Sequence, residues 1–335
     1  MTQSLNDSIP PVLLWPDTFN NYFHPETAKA AVEVLEAAGY RVILPQANLC
    51  CGRPLYDFGM LDRAQSLLLN ILDELSPEIE AGIPVVGLEP SCVAVFRDEL
   101  LNLFPHDHRA QALSRQTFLL SEFLERELDH NAAKPILPQL KRKALLHGHC
   151  HHKSIMKMSA EESLLHRIGI DFQSPAPGCC GMAGSFGFER DKEKYDVSAA
   201  IGELELVPAV RKAPRDWLII ADGFSCREQI AQGTARHALH LSEVLQMALD
   251  SPPVSCPSDS ESADSESGAT SCHSDRSRSA SDGAVEEPAV GPYPESSRVR
   301  QHSAEVRSSM TRSALGLGAM ALGGLLLRQL LRKRE

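Results

Sequence analysis

An internal duplication constrains what this chain can fold into more than any single motif does. Cys226 lies 134 residues after Cys92. The tripeptide Cys-Cys-Gly that begins at Cys50 recurs 129 residues later, at Cys179. Nearly constant offsets over such a length indicate two copies of one supersecondary unit.

Each copy alternates apolar strands with amphipathic helices. In the first copy, the apolar run PVLLW precedes PETAKAAVEVLEAAGY, whose spacing of Ala, Val and Leu fits a helix, and RVILP follows as a second strand. The second copy repeats this order from KALLHGH onward. Alternating strands and helices imply parallel sheets with helices on both faces. We therefore predict an α/β fold of two pseudo-repeated βαβ-type units, at residues 11–130 and 143–250.

Cysteines occupy the loops that follow predicted strands in both copies. Because ligand loops gather at the carboxyl ends of parallel strands, thiols that are distant in sequence converge there. Four thiolates around one point suit a tetrahedral zinc ion or an iron–sulfur cluster. Two adjacent cysteines reach different irons of a cluster more easily than they reach a single ion, which favours the cluster. The candidate metal ligands are Cys150, Cys179, Cys180 and Cys226 in the second copy, and Cys50, Cys51 and Cys92 in the first.

Small residues follow the second cysteine pair, in the stretch GMAGSFG. Small residues let backbone N–H groups approach and hydrogen-bond anionic sulfur. We predict that this loop surrounds the cofactor through Gly181, Gly184, Ser185 and Gly187, and the alternative is a turn that only begins a helix. The histidines around Cys150 leave zinc open as well, because imidazole is a good zinc ligand. They are His147, His149, His151 and His152, and the alternative is that they are bystanders at a strand end.

Outside the two copies the composition changes. Residues 1–10 are predicted to be a flexible N-terminus, and residues 131–142 a linker between the copies. After the second copy, the chain is rich in Ser, Asp, Glu and Pro, which predicts a disordered linker over residues 251–309 with Cys256 and Cys272 as incidental thiols. The formal net charge of -11 argues against a nucleic-acid partner, which needs a basic face.

The chain becomes apolar again near its end, and residues 310–335 are predicted to form a hydrophobic helix flanked by basic residues. The fourteen apolar residues of 314–327 would span about 21 Å as a helix, less than the hydrocarbon core of about 30 Å. We predict a weakly inserted or interfacial membrane anchor, and the alternative is a helix that packs on a partner protein. No secretory pattern opens the chain, which predicts a cytoplasmic location, with attachment to the cytoplasmic membrane through this helix.

The cysteine motifs resemble a known family. CCGRPLYDFGML, EPSCVAVFRDEL, HGHCHH, CCGMAGSFGFE and DGFSCREQI look like the cysteine-rich CCG domains of FAD-linked 2-hydroxy-acid oxidoreductases. Members include D-lactate and D-2-hydroxyglutarate dehydrogenases, the iron–sulfur subunit of glycolate oxidase, and the CCG-containing subunit of heterodisulfide reductase. The resemblance covers residues 11 to about 250. It implies at least one 4Fe-4S cluster here, FAD on a partner flavoprotein, and a quinone, a cytochrome or another electron acceptor.

Two departures limit what the resemblance implies. The family pattern has a single cysteine, a CCG and then a C-x-x-C. In the second copy, Gly223 stands where the first cysteine of C-x-x-C would be, which leaves four thiols. In the first copy, the opening position falls near Asp17 or Thr18, and the C-x-x-C begins with Glu89, which leaves three. The first copy is therefore a degenerate half, holds a labile cluster, or lines an acceptor site.

Three functions remain open from the sequence. The first is an iron–sulfur electron-transfer subunit of a dehydrogenase of the lactate or glycolate type, which needs a flavoprotein partner. The second is a thiol/disulfide site at a cluster, as in heterodisulfide reductase. The third is a zinc-stabilised docking module without redox activity. No group of side chains stands out as a catalytic acid, base or nucleophile.

Overall fold

The computed structural model describes residues 9–130, 138–175, 178–190 and 192–251. The predicted C-terminal linker, the apolar C-terminal helix, Cys256 and Cys272 lie outside these ranges. So do residues 1–8 and most of the predicted linker between the repeats. Within the described ranges, no helix has both the length and the apolar character needed to cross a membrane.

A four-stranded parallel sheet forms the centre of the first repeat. Its strands are β1 (Pro11–Trp15), β2 (Arg41–Ile43), β3 (Val85–Gly87) and β4 (Thr117–Leu119), and their order is β2-β1-β3-β4. Four of the five residues of β1 are buried, as expected for a central strand covered on both faces. The helices are α1 (Thr18–Tyr22), α2 (Pro25–Ala37), α3 (Arg53–Asp57), α4 (Leu61–Glu74), α5 (Ser76–Glu80), α6 (Pro90–Arg97), α7 (Glu99–Leu103), α8 (His108–Gln116) and α9 (Leu120–His130).

The second repeat has the same strand arrangement in a three-stranded sheet. Its strands are β5 (Lys143–Leu146), β6 (Asp171–Gln173) and β7 (Leu218–Ile220), in the order β6-β5-β7, which matches β2-β1-β3. All pairings in both sheets are parallel, so the predicted α/β class with parallel sheets is confirmed. The helices are a π-helix (His152–Met156), α10 (Ser159–Arg167), a 3-10 turn (Phe186–Phe188), α11 (Lys192–Gly202), α12 (Leu206–Lys212), α13 (Phe224–Gly233) and α14 (Leu241–Leu249).

Two stretches whose residue spacing predicts a helix, VAVFRDELLNLF and the segment from Lys192 to Val210, are each broken into two helices in the structure. The segment VAVFRDELLNLF is interrupted at Asp98, whose backbone leaves the helical region at φ -123° and ψ -72°. The helix expected from Lys192 to Val210 ends at Gly202 and starts again at Leu206, because glycine is a poor helix former. The short strand β4 was not predicted, since three residues are too few to show a period of two.

The two repeats share one hydrophobic core. A single cluster of buried side chains joins Val12 and Leu14 of β1 to Leu146 of β5 and Val244 of α14. Helices α2 and α14 pack against each other, and the Ser242 hydroxyl donates to a backbone carbonyl in α2 at 2.9 Å. Apolar burial of this kind is the main force that holds packed layers together. The residues that follow the strands of both repeats are therefore fixed relative to one another.

Candidate metal centre

The four candidate cysteines of the second repeat meet in one place. Cys150 follows β5, Cys179 and Cys180 come from the loop after β6, and Cys226 lies in the first turn of α13, which follows β7. The Sγ atoms of Cys150 and Cys179 are 3.8 Å apart, and Cys180 hydrogen-bonds both Cys179 and Cys226. Cys180 and Cys226 are buried, whereas Cys150 is exposed. The order β6-β5-β7 places three strand ends side by side, which is why these distant residues converge.

Protonation divides these four sulfurs into two pairs. Contact with Cys150 lowers the pKa of Cys179 to about 2, and contact with Cys180 holds the pKa of Cys226 well below its usual value. Contact with Cys179 raises the pKa of both Cys150 and Cys180. A hydrogen bond from His147 also lowers the pKa of Cys226. Four sulfurs in mutual contact, two of them with a lowered pKa, suit a cation, and binding of a metal would release the remaining thiol protons.

The loop after the cysteine pair directs backbone N–H groups at the sulfurs. The N–H of Gly181 donates to Sγ of Cys179 at 3.3 Å, and the N–H of Met182 donates to Cys180. Gly181 has a φ of +94°, and a Cβ at this position would lie 2.1 Å from the carbonyl oxygen of Ser198. Only glycine fits a backbone that has this conformation and lies this close to a neighbouring helix.

The other three predicted cofactor contacts of this loop, unlike Gly181, have no hydrogen bond to a cysteine sulfur among those the structure shows for the described residues. Gly184 and Ser185 line a cavity between the two repeats. Gly187 is a packing position, because a Cβ there would lie 2.4 Å from both Sδ of Met182 and Oγ of Ser198. The assignment of Gly181, Gly184, Ser185 and Gly187 to cofactor binding stays a prediction.

The structure gives a reason for the glycine at position 223. A Cβ on Gly223 would lie 2.4 Å from Cδ2 of His149. His149 is itself buried, and its Nδ1 accepts the backbone N–H of His151 at 3.2 Å. The His149 ring therefore occupies the space that a side chain at position 223 would need. A C-x-x-C cannot form here without moving that ring, and the second repeat keeps four thiols.

The three thiols of the first repeat also meet, but they are all neutral. Sγ of Cys51 lies 3.1 Å from Sγ of Cys92, and contact with Cys51 raises the pKa of Cys50. Contact with Cys50 lowers the pKa of Cys51, but Cys92 and burial outweigh it and raise that pKa well above its usual value. Contact with Cys51 lowers the pKa of Cys92, but burial and the carboxylates of Asp17 and Glu89 outweigh it. This site therefore lacks the thiolates of the second repeat.

A carboxylate stands at the first position of the C-x-x-C in the first repeat, Glu89, and another, Asp17, lies at or next to the expected opening position. Asp17 caps α1, with Oδ1 accepting the N–H of Asn20 at 2.9 Å, and burial followed by the charge of Glu89 raises its pKa to about 6. Glu89 caps α6 by accepting the N–H of Ser91 at 3.2 Å. Its second oxygen accepts the N–H of Phe224 at 2.8 Å. Glu89 thus joins the first repeat to the helix that carries Cys226.

Glu89→Gln is expected to destabilise the protein by about 1 to 3 kcal/mol, because glutamine has one acceptor oxygen for two buried backbone donors. Urea unfolding measures this change in the free energy of unfolding. Ser91→Ala is the matched control, since it removes only the Ser91 hydroxyl bond to the same carboxylate at 2.8 Å, and it should cost about 1 kcal/mol or less. Equal unfolding midpoints for Glu89→Gln and wild type would contradict the role of this bridge.

A cavity of about 900 Å³ lies between the repeats and adjoins the first-repeat thiols. The second repeat contributes His149, Ser185 and Phe224 to its wall. The rings of Phe19 and Phe224, one from each repeat, stack with their centroids 4.1 Å apart. The sequence identified Glu89 only as a departure from the C-x-x-C pattern and gave no role to these two aromatic residues, because all three act across the repeat boundary.

Comparison with known proteins supports the cysteine motifs. A family model for the CCG cysteine-rich domain matches residues 17–97, which include all three thiols of the first repeat. One subunit of the anaerobic glycerol-3-phosphate dehydrogenase of Escherichia coli is 31% identical over 233 residues, covering 69% of this chain and 57% of that protein. D-2-hydroxyglutarate dehydrogenase of Pseudomonas putida is 29% identical over 242 residues, covering 71% of this chain and 22% of that protein.

A third relative is covered over most of its own length. Lactate utilization protein A of Bacillus velezensis is 31% identical over 173 residues, covering 49% of this chain and 69% of that protein. By contrast, the chain spans little more than half of the Escherichia coli protein and about a fifth of the Pseudomonas dehydrogenase. The resemblance seen in the motifs is confirmed: the chain belongs to the CCG cysteine-rich domain family, in the group related to FAD-linked oxidoreductases.

Proposed function

We propose that this chain is the iron–sulfur electron-transfer component of an FAD-linked dehydrogenase. The observation that carries the proposal is the convergence of Cys150, Cys179, Cys180 and Cys226, two of which have a lowered pKa. The relatives are named as dehydrogenases, as a subunit of one, or as a lactate utilization protein, which supports an oxidoreductase role. The second repeat would hold the cluster, because its thiols are the ones with thiolate character.

The residues present fit a 4Fe-4S cluster held by these four sulfurs. A bound cluster stores and releases one electron at a potential set by its surroundings. The N–H groups of Gly181 and Met182 would stabilise negative charge on two of the ligand sulfurs. Cys180 and Cys226 face the protein interior, where water is excluded, and Cys150 lies at the exposed side. Electrons would therefore enter or leave on the Cys150 side.

The substrate class and partner follow from the relatives. Two of the three are named for a 2-hydroxy acid, lactate or D-2-hydroxyglutarate, which favours that class over glycerol 3-phosphate. We infer that a partner flavoprotein carries the FAD that oxidises the hydroxy acid and passes electrons to this chain. The cavity beside Cys51 and Cys92, with its stacked phenylalanine wall, is where an acceptor such as a quinone would dock.

Two observations favour the alternative functions, a zinc-stabilised docking module and a thiol/disulfide site. The 3.8 Å between Sγ of Cys150 and Cys179 equals the edge of a tetrahedron of thiolates around zinc, with bonds of about 2.3 Å. A zinc-stabilised docking module would therefore use the same thiols. The Cys51 and Cys92 sulfurs, 3.1 Å apart at the wall of a large cavity, favour thiol/disulfide chemistry as the second redox candidate. Turnover of a disulfide substrate would distinguish that chemistry from electron transfer alone.

Anaerobic purification followed by metal analysis tests the proposal. We expect about four irons and four acid-labile sulfides per chain, with an electron paramagnetic resonance signal that appears on reduction by dithionite. Zinc bound without sulfide would contradict the electron-transfer function and support the docking module. The as-purified and reduced samples serve as controls for each other, because a resident zinc ion changes neither spectrum.

A further inference from the structure

A second group of metal-ligating side chains lies apart from the thiols. His152 lies in the π-helix, Glu161 in α10, and Asp222 directly after β7. One ligand atom from each residue lies within 4.8 Å of the other two. All three residues are almost fully buried, with exposed fractions of 0%, 1% and 4%. A buried imidazole and two buried carboxylates with their polar atoms this close together need a physical explanation.

Most of these polar atoms have no hydrogen-bond partner. Both carboxylate oxygens of Glu161 and both ring nitrogens of His152 are buried and unpartnered, although Nδ1 of His152 is 3.2 Å from Oε2 of Glu161. Asp222 uses Oδ1 to accept the N–H of Leu241 at 2.9 Å. Leaving a buried donor or acceptor unpaired costs about 1 to 3 kcal/mol in proteins, so four such atoms in one place indicate an absent ligand.

Two buried basic groups lie beside Asp222. The Arg227 guanidinium donates to the backbone carbonyl of Asp222 at 2.6 Å and to Oδ1 of Asn20 at 3.0 Å, so these donors are directed at other oxygens than those of the two carboxylates. Nε2 of His240 is 3.4 Å from Oδ1 of Asp222. Its Nδ1 accepts the N–H of Ser242 at 3.0 Å, and its Nε2 also lies 3.0 Å from the carbonyl oxygen of Leu88, so both ring nitrogens already have backbone partners. A divalent cation between Glu161 and Asp222 would cancel both negative charges, which is the condition for burying ionised carboxylates.

We propose that His152, Glu161 and Asp222 bind one divalent transition-metal ion, of the Zn²⁺ or Mn²⁺ type. One imidazole nitrogen and two carboxylate oxygens form a donor set that these ions accept. Bonds of about 2.1 Å place the donors of a tetrahedral site about 3.4 Å apart, and Nδ1 of His152 is already 3.2 Å from Oε2 of Glu161. The burial of all three residues makes the ion structural, because no face is open to a substrate.

This ion would fix the segments that carry two of the candidate cluster ligands. His152 is two residues after Cys150, and Asp222 is four residues before Cys226. The π-helix that begins at His152 ends at Met156 and is followed by Lys157, a residue with a φ of +71°. Short π-helices and left-handed backbone at non-glycine residues concentrate at functional sites. The three side chains form this metal site whether or not a cluster is bound to the cysteines.

Metal and sulfide analysis of the purified chain and matched variants tests this site. We expect about one divalent ion per chain beyond the iron that matches acid-labile sulfide, with loss of that ion in Glu161→Gln and in His152→Gln. Glu162→Gln, one residue along the same helix and outside the group, should keep it. In thermal unfolding, added Mn²⁺, which prefers carboxylates to thiolates, should raise the melting temperature of the wild type but not of Glu161→Gln, because only the folded wild type binds the ion at this site.

Two results would overturn the proposal. One is a wild-type chain with no ion beyond the iron that matches sulfide and no response to added Mn²⁺, which would mean that a proton shared by Glu161 and His152 replaces the metal. The other is an extra ion that survives in Glu161→Gln. A chain that lacks iron and sulfide but keeps the Glu161-dependent ion would instead refute the electron-transfer function and leave this site intact.

Discussion

Cys179→Ser is expected to remove the proposed iron–sulfur cluster from the purified chain. Cys179 is the sulfur whose pKa falls to about 2, it contacts Cys150 and Cys180, and it accepts the N–H of Gly181. Serine has a hydroxyl that stays protonated at neutral pH, so the ligand set would lose one of its two thiols with a lowered pKa. Iron and sulfide should fall from about four each per chain to below about one, as measured by chemical analysis and by loss of the visible absorption.

Cys50→Ser is the matched control for Cys179→Ser. Cys50 is also the first cysteine of a CCG tripeptide, but contact with Cys51 raises its pKa and its side chain is exposed. We expect iron and sulfide contents within about a fifth of those of the wild type. Loss of the cluster in Cys50→Ser, with retention in Cys179→Ser, would move the metal centre to the first repeat.

Gly181→Ala is expected to destabilise the protein by more than about 4 kcal/mol and to remove the cluster with it. The Cβ would lie 2.1 Å from the carbonyl oxygen of Ser198, and the φ of +94° is unfavourable for any residue with a side chain. Either α11 or the cysteine loop must move, and the N–H bond to Cys179 would be lost. Urea unfolding and iron content measure the two effects.

Gly39→Ala separates backbone strain from the steric clash. Gly39 has a φ of +89°, but a Cβ there would meet no atom within 4 Å. This variant should cost about 1 to 2 kcal/mol, the penalty of left-handed backbone alone, and it should leave the iron content unchanged. If Gly181→Ala cost no more than Gly39→Ala, the close approach of the loop to α11 would be unimportant.

The two repeats have the same strand order, but their thiols differ in pKa. Two second-repeat thiols have a lowered pKa, whereas all three first-repeat thiols have a raised one. Asp17 and Glu89 account for part of this difference, because their charges oppose ionisation of Cys92. The same two carboxylates cap helices, and Glu89 also bridges the repeats. A duplicated fold has thus become one candidate metal site and one neutral thiol site beside a cavity.

The sequence alone determined the fold class and the convergence of the cysteines. Strand and helix patterns are local, and a repeat offset near 130 residues needs no knowledge of packing. Parallel strands then bring Cys150, Cys179 and Cys226 to one edge of a sheet, because loops that follow parallel strands lie at the same end. The sequence also carried the family motifs, which the relatives confirmed. The sequence did not predict helix breaks such as the one at Asp98, because a local kink leaves the apolar spacing unchanged.

Only the tertiary structure decided which thiols ionise and which polar residues lack partners. The pKa of a thiol depends on burial and on charges from distant parts of the chain, such as the charge of Asp17 beside Cys92. His149 excludes a side chain at position 223 through a contact between two separate loops. His152, Glu161 and Asp222 share no spacing pattern and form a group only because three elements pack together. Such properties depend on long-range contacts in three dimensions, and a local pattern in one dimension does not contain them.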